Sequence, residues 1–198
     1  MIKFKNISKE KPFMLFKDFY EKADDKNQKN IDAMHIASYS KNIQEVDGRF
    51  VNLKIVEDKK FIFFTNYNSP KATQFESHGQ IAATFFWHNI DTQIRIKGKI
   101  KKVSKSFSDS YFKNRSLEKN ALAISSNQSK KIKSYELVIK NYNETYQNIN
   151  LTNRPDYWGG YFFTPYQFEF WVGHPSRVNK RILYDFEQNQ WNESLIQP

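Results

Sequence analysis

Apolar positions change their spacing several times along the chain, and each change predicts an element. In "PFMLFKDFYEKA", Leu15, Phe16, Phe19 and Ala23 recur at helical spacing behind Pro12, which predicts an amphipathic helix packed on the body of the protein. The runs "NIDAMHIASYS", "GRFVNLKIVE" and "KKFIFFTNY" are rich in β-branched and aromatic residues and are divided by Asn, Asp and Gly or by Glu-Asp-Lys, so they predict antiparallel strands. "QIAATFFWH" adds another. In "TQIRIKGKIKKVS", Ile94, Ile96 and Ile100 alternate with Arg95, Lys97 and Lys99, the period-two pattern of a strand with one wet face. Helical patterns follow in "SDSYFKNR", "LEKNALAISS" and "SYELVIKNYNETYQN". The strands "QFEFWVG" and "RILYDFEQ", with a last "QWNESLI", close the chain. Many short strands with peripheral helices predict an α+β protein built on an antiparallel barrel or sandwich, read as one domain over residues 1–198.

Composition narrows the function. A chain of 198 residues can bury roughly two-thirds of its unfolded surface, and 18 Phe and 11 Tyr supply large apolar areas for a core. With no cysteine, disulfides, thiolate metal sites and cysteine nucleophiles are excluded. The histidines at 35, 78, 88 and 174 lack a paired ligand spacing, so no metal site is expected. No apolar run approaches the ~20 residues of a bilayer span, and "MIKFKNISKEKPFM" has no signal-peptide core; a cytoplasmic protein without a membrane partner is expected. The net charge of +10 suits an anionic partner, a phosphorylated metabolite or nucleic acid. It also suits a chain whose Lys-, Asn- and Ile-rich bias leaves lysines merely solvated.

Chemistry concentrates in a few places. In "TNYNSPKATQFESHG", Ser69 suits an N-cap, Pro70 a first helical position and Gly79 a helix end. Lys71 then falls in the first turn, where a cation opposes the helix dipole unless an anion lies between them; a phosphate site and a capped surface helix both fit. Arg49 and Lys54 stand five apart, hence on opposite faces of an ideal strand. Tyr111 and Arg115, four apart, share a helical face, as a phosphate grip or as a stacked surface pair. In "QFEFWVGHPSRVNKR" a strand end carries Trp171 next to Arg177, Lys180 and Arg181, which fits a flat anionic ligand or a surface hairpin.

Taken together, "RFVNLK", "FFTNYNSPKATQ", "FFWHNIDTQIRIKG", "YFKNR", "NQSK", "YWGG", "QFEFWVG" and "RVNKR" stand in the order and approximate spacing of the pyridoxamine 5′-phosphate oxidase family, which the chain resembles from about residue 13 to Pro198. The resemblance implies an antiparallel split β-barrel with peripheral helices, working as a homodimer with FMN across the subunit interface and with no nucleic-acid partner. It implies FMN contacts from Arg49 and the following Phe50, Val51 and Asn52, from Phe64, Thr65, Ser69, Pro70 and Lys71, and from Gln93, Gln128, Ser129, Trp171 and Arg181. The phosphate of a small-molecule substrate would meet Lys54, Tyr111, Arg115 and Lys119. Arg177 and Asn179 would be the catalytic pair at the substrate ring. The implied activity is oxidation of pyridoxamine or pyridoxine 5′-phosphate to pyridoxal 5′-phosphate, with oxygen as acceptor and hydrogen peroxide as second product.

Departures from the family pattern bear on the substrate more than on FMN. Asn179 stands where the family has histidine in R-L-H-D-R, and asparagine can hydrogen-bond but cannot take up a proton at neutral pH. Lys119 replaces a frequent serine, Pro70 an arginine and Phe64 a tyrosine, and the basic arm that precedes the domain in some members is short or absent. A related flavin oxidase of the phenazine-biosynthesis type, or a diverged FMN-binding protein, is the alternative that Asn179 and Lys119 favour. A basic module holding single-stranded nucleic acid on exposed aromatics is the third reading, and it needs no FMN.

Overall fold

A computed structural model describes all 198 residues. Helix α1 (Lys11–Asp25) has Pro12 in its first turn and buries Phe13, Phe16, Tyr20 and Ala23; Phe16 and Ala23 are on the expected face, while Phe13 and Tyr20 stand where Leu15 and Phe19 were expected. Leu15 and Phe19 lie at its half-buried margin. The face turns because Phe13 meets Phe168 edge-on at 5.2 Å and Tyr20 meets Trp87 at 6.0 Å, larger contacts than Leu15 could make.

Ten strands form one sheet. Its middle runs β5 (Lys60–Asn66), β8 (Trp158–Val172), β7 (Thr92–Lys102), β6 (Gln80–Trp87), β2 (Ala33–Ser40) and β3 (Glu45–Asn52), all antiparallel. Strand β4 (Ile55–Glu57) pairs antiparallel with β5, and the short β1 (Lys3–Lys5), which no alternation announces, lies parallel to β4. Strands β9 (Lys180–Glu187) and β10 (Gln190–Leu195) extend from the second half of β8. β3 and β4 stand at opposite ends of this order, yet the chain joins them directly through Leu53 and Lys54. The Leu53 N–H donates to Asp32 O at 2.8 Å, beside β2, and the Lys54 N–H to Ile62 O at 2.9 Å, on β5.

On β7 the predicted alternation is observed: Ile94, Ile96 and Ile100 are buried while Arg95, Lys97 and Lys99 face outward. β8 is longer than its visible pattern, which marked only its end. Pro165 falls opposite Gly98 where the register shifts, so an irregularity in the ladder accommodates a residue without an N–H. At its start, a methyl group on Gly159 would collide with the Tyr67 hydroxyl, and one on Gly160 with Val103 and Phe64. The core is aromatic, with Phe16 against Phe61 at 5.0 Å and Phe61 against Phe163 at 5.2 Å.

Helices α2 (Pro70–His78), α3 (Lys105–Lys113), α4 (Leu117–Ser125) and α5 (Tyr135–Asn148) form where helical spacing was read. Ser104 caps α3 by accepting from the Phe107 N–H, and Ser134 caps α5 by accepting from Leu137. α2 ends at Gly79, whose φ of 64° is the left-handed turn glycine adopts freely. No helix is long and apolar enough to cross a membrane.

Candidate active site

Two cavities of about 460 and 320 Å³ adjoin along β3 and share Phe50, Val51 and Gln128 as lining. Arg49 and Lys54 face different ones, Arg49 the smaller and Lys54 the larger; Lys54 lies past the end of β3, so the link to β4 and not strand alternation sets its direction.

The smaller cavity opens at the start of α2, between Arg49, Pro70, Lys71 and Ser129. Lys71 is 5 % exposed, and its ammonium has only the Ser69 hydroxyl, at 3.1 Å, as a partner. Burial, then the neighbouring Arg49 charge, pull its pKa down to about 8, with Asp47 opposing them. Arg49 is itself held at two points, by Asp47 and by the Ser38 hydroxyl at 2.6 Å. Ser38 in turn donates to Gln74 of α2, and both are buried. One departure from expectation concerns Ser69. Its hydroxyl donates back to Asn66 O at 2.7 Å and caps no helix N–H; Pro70 has no N–H and the Ala72 N–H turns to the Ser69 carbonyl at 3.0 Å, which leaves the Lys71 N–H among the first-turn donors of α2. Ser129, at φ 67°, sits in the 127–130 turn, which docks on β5 through the Asn66 N–H donating to Gln128 Oε1 at 3.3 Å.

The larger cavity gathers Asn52, Lys54, Phe64, Thr65, Tyr111, Arg115 and Lys119. Its wall is a stack: Phe64 lies 3.6 Å from Tyr111 with rings 13° apart and 5.3 Å from Trp158, and the Arg115 guanidinium covers Trp158 at 4.9 Å. Burial raises the Tyr111 pKa and lowers that of Arg115, which still stays charged. Arg115 is aimed by the Lys119 carbonyl at 2.8 Å. Lys54 donates to Asp32 at 2.6 Å. Burial raises the Asp32 carboxyl, but the hydrogen bond and charge of Lys54 outweigh it and hold that pKa below the usual range. Sequence reasoning gave Asp32, Trp158, Ser38 and Gln74 no role. Only "YWGG" carried a signal, since two glycines after a tryptophan mark a strand approached closely by other groups.

Gln93, Trp171, Arg177, Asn179 and Arg181 line neither cavity. They form a second group, with Gln93 opposite Trp171 across β7 and β8, and Trp171 opposite Arg181 across β8 and β9. Arg181 is locked to the buried Glu169 by Nε at 2.9 Å and Nη2 at 2.7 Å, and Glu169 also accepts from Arg95 at 2.8 Å. Arg177 is in the exposed turn between β8 and β9, with φ 60°. The Asn179 side-chain oxygen, expected at a substrate ring, accepts from the His174 N–H at 3.0 Å within that turn.

The chain matches the family model described as pyridoxamine 5′-phosphate oxidase over residues 23–148, and that described as the pyridoxine 5′-phosphate oxidase C-terminal dimerisation region over residues 158–198. It is 42 % identical over 154 residues to a pyridoxine/pyridoxamine 5′-phosphate oxidase of Cytophaga hutchinsonii, covering 76 % of this chain and 72 % of the relative. It is 34 % identical over 191 residues to the enzyme so named in Leptospira interrogans, covering 94 % and 88 %. Among solved structures, PhzG from Burkholderia lata, in complex with tetrahydrophenazine-1-carboxylic acid, superposes with a TM-score of 0.89 at 24 % identity, over 95 % of this chain and 93 % of the other. A pyridoxamine 5′-phosphate oxidase-related, FMN-binding protein from Nostoc punctiforme gives 0.77 at 15 % identity, over 96 % and 99 %. These two likenesses concern the fold.

Proposed function

The chain belongs to the pyridoxamine 5′-phosphate oxidase family, and from that premise we propose that it is an FMN-dependent oxidase of pyridoxamine or pyridoxine 5′-phosphate, acting as a homodimer. One observation carries the reading: two cationic ends, Lys71 with Arg49 and Lys54 with Arg115, open into adjoining cavities lined between them by Phe50, Val51 and Gln128. Each end suits a phosphate, and the space between suits flat rings.

The residues present fit FMN. A buried lysine with no carboxylate partner, next to an arginine and in the first turn of a helix, suits an anion such as the FMN phosphate. When bound, FMN supplies the two-electron acceptor for the substrate carbon that bears the amine or hydroxyl, and passes the electrons to oxygen to give hydrogen peroxide. The chain's own part is alignment. Lys71 and Arg49 hold the cofactor phosphate, while Thr65, Gln128 and Ser129 border the rest. Lys54, Tyr111 and Arg115 grip the substrate phosphate, with Lys119 at the rim, and so fix the reacting carbon against the ring plane. Arg177 lies over the substrate ring and steadies charge that develops there.

Dimerisation follows from reach. Trp158 borders the larger cavity at one end of β8, and Trp171 begins the second group near the other, on the order of 40 Å away along the strand. That separation along the strand supports the reading that the Gln93, Trp171, Arg177 and Arg181 group of one copy completes the cavities of another. Val46 and Phe50, 73 % and 72 % exposed on the edge strand β3, support such a contact. A split barrel is the matching fold reading, supported by the direct link from β3 to β4 that joins the two ends of the ladder, and residues 1–198 act in it as one cytoplasmic unit.

The test is pyridoxal 5′-phosphate formation from pyridoxamine 5′-phosphate by the FMN-loaded protein in air, with hydrogen peroxide assayed in parallel. Both products appearing together support the oxidase. A yellow protein that makes neither redirects the search to another substrate, the reading that Lys119 favours. A protein that takes up no FMN overturns the proposal.

A further inference from the structure

We propose that Asn179 is a positioning residue: its side-chain oxygen braces the turn that carries Arg177, and what this position must supply is a hydrogen-bond acceptor rather than a group that touches the substrate. The proposal deepens the oxidase reading and rests on it for the role of Arg177.

Seven residues, 173–179, connect β8 to β9. Arg177 sits among them with φ 60°, a left-handed conformation that is disfavoured for a residue other than glycine. Such a conformation persists where its surroundings enforce it. Three hydrogen bonds do so here. The Arg177 N–H donates to His174 O at 2.8 Å, the Ser176 N–H donates to His174 Nδ1 at 3.2 Å, and the His174 N–H donates to Asn179 Oδ1 at 3.0 Å. Below them, the Gly173 N–H is tied to Asp91 O at 2.9 Å, which anchors the turn to the end of the loop before β7.

The Asn179 bond is the one that closes the loop. It runs from His174, three residues before Arg177, to a side chain two residues after it, so the arginine is enclosed by the bond. The orientation of the amide is dictated chemically, since a backbone N–H can only donate and only the oxygen of Asn179 can accept. That oxygen is therefore committed to the turn, and the role we assign to Asn179 is exercised through Arg177, with the amide donor as the group the test must separate from it. A neutral histidine ring nitrogen can accept the same bond and a protonated one cannot, whereas asparagine supplies the acceptor without titrating.

Two variants separate the possibilities. Asn179→Asp keeps the acceptor and loses the amide donor; Asn179→Leu keeps approximate volume and loses both. Each is loaded with FMN, hydrogen exchange of the His174 amide is followed, and turnover of pyridoxamine 5′-phosphate is measured with its KM. The expected result for Asn179→Leu is exchange faster by about tenfold and kcat lower by about the same factor, with FMN retained and KM little changed. Asn179→Asp is expected to keep both the protection and kcat within about threefold of the parent. Unchanged exchange in Asn179→Leu overturns the proposal, whatever the activity. So does an Asn179→Asp variant that keeps its protection and loses turnover, because the amide donor would then be acting on the substrate itself. If the parent protein oxidises no B6 phosphate, the oxidase reading fails, while the exchange data still decide whether Asn179 braces the turn.

Discussion

The two arginine-bearing regions of this protein are built in opposite ways. Around Arg49 and Lys71, the cations are set by a strand and a helix, are largely buried, and are held through Ser38 and Gln74 by side chains that are buried as well. Around Arg177, the backbone is an exposed turn with a left-handed residue at its tip, and the turn is closed by its own side chains. A buried cation cluster is costly without its anion and so is committed to one. An exposed, locally braced turn commits to nothing until something covers it. In the proposed oxidase, the first region retains the cofactor and the second acts on what changes during turnover.

Four experiments sharpen or break this division. Arg177→Ala is expected to lower kcat by roughly 100-fold or more with FMN still bound, the effect of losing a charge placed where charge develops; loss of flavin on gel filtration would break the distinction. Lys71→Met is expected to weaken FMN by about 10- to 100-fold, from one charge-assisted contact, with kcat at saturating FMN nearly unchanged; titration of the flavin fluorescence measures it. Gln74→Leu, which releases Ser38 and so Arg49, should weaken FMN by about 5- to 10-fold and leave riboflavin binding alone, since only the phosphate end is affected. The smallest effect is that of pH. Lys71 in the free protein loses its proton near pH 8, well below the ordinary 10.5. FMN affinity should therefore fall as pH rises through about 8, and the Lys71→Met variant should show no such fall. The free protein shows the opposite sign in its stability. A depressed lysine pKa means the folded state releases its proton first, so stability rises between about pH 8 and 10.5, and thermal melts without flavin check it.

Much of the fold was legible because burial and periodicity coincide. β7 displays its alternation plainly, since one face is packed and the other is wet. β8 did not, because Gly159, Gly160 and Pro165 interrupt any propensity signal, and each is explained only by a neighbour from far along the chain: Tyr67, Phe64, or the register shift at Gly98. On α1, Phe16 and Ala23 were legible, but Leu15 and Phe19 stood in for Phe13 and Tyr20 because aromatic and aliphatic residues lie on both sides of the buried stripe. The site divides likewise. Lys71 was legible as a first-turn lysine, but its missing carboxylate partner was not, and Asp32, which holds Lys54, lies 22 residues from its partner. Asn179 was legible as a departure from a pattern. Its hydrogen bond to His174 is a property of the turn's shape, which no spacing encodes.

The length of β8 has a genetic consequence. In the proposed dimer, a strand that begins beside one site and ends in the group completing its twin makes two lesions complementary when they fall in the two halves of a site. A Lys71 variant held at limiting FMN and an Arg177 variant, each nearly inactive alone, would regain activity on co-expression. Random pairing makes half the dimers mixed, and each mixed dimer holds one site free of both lesions, so about a quarter of all sites would be intact.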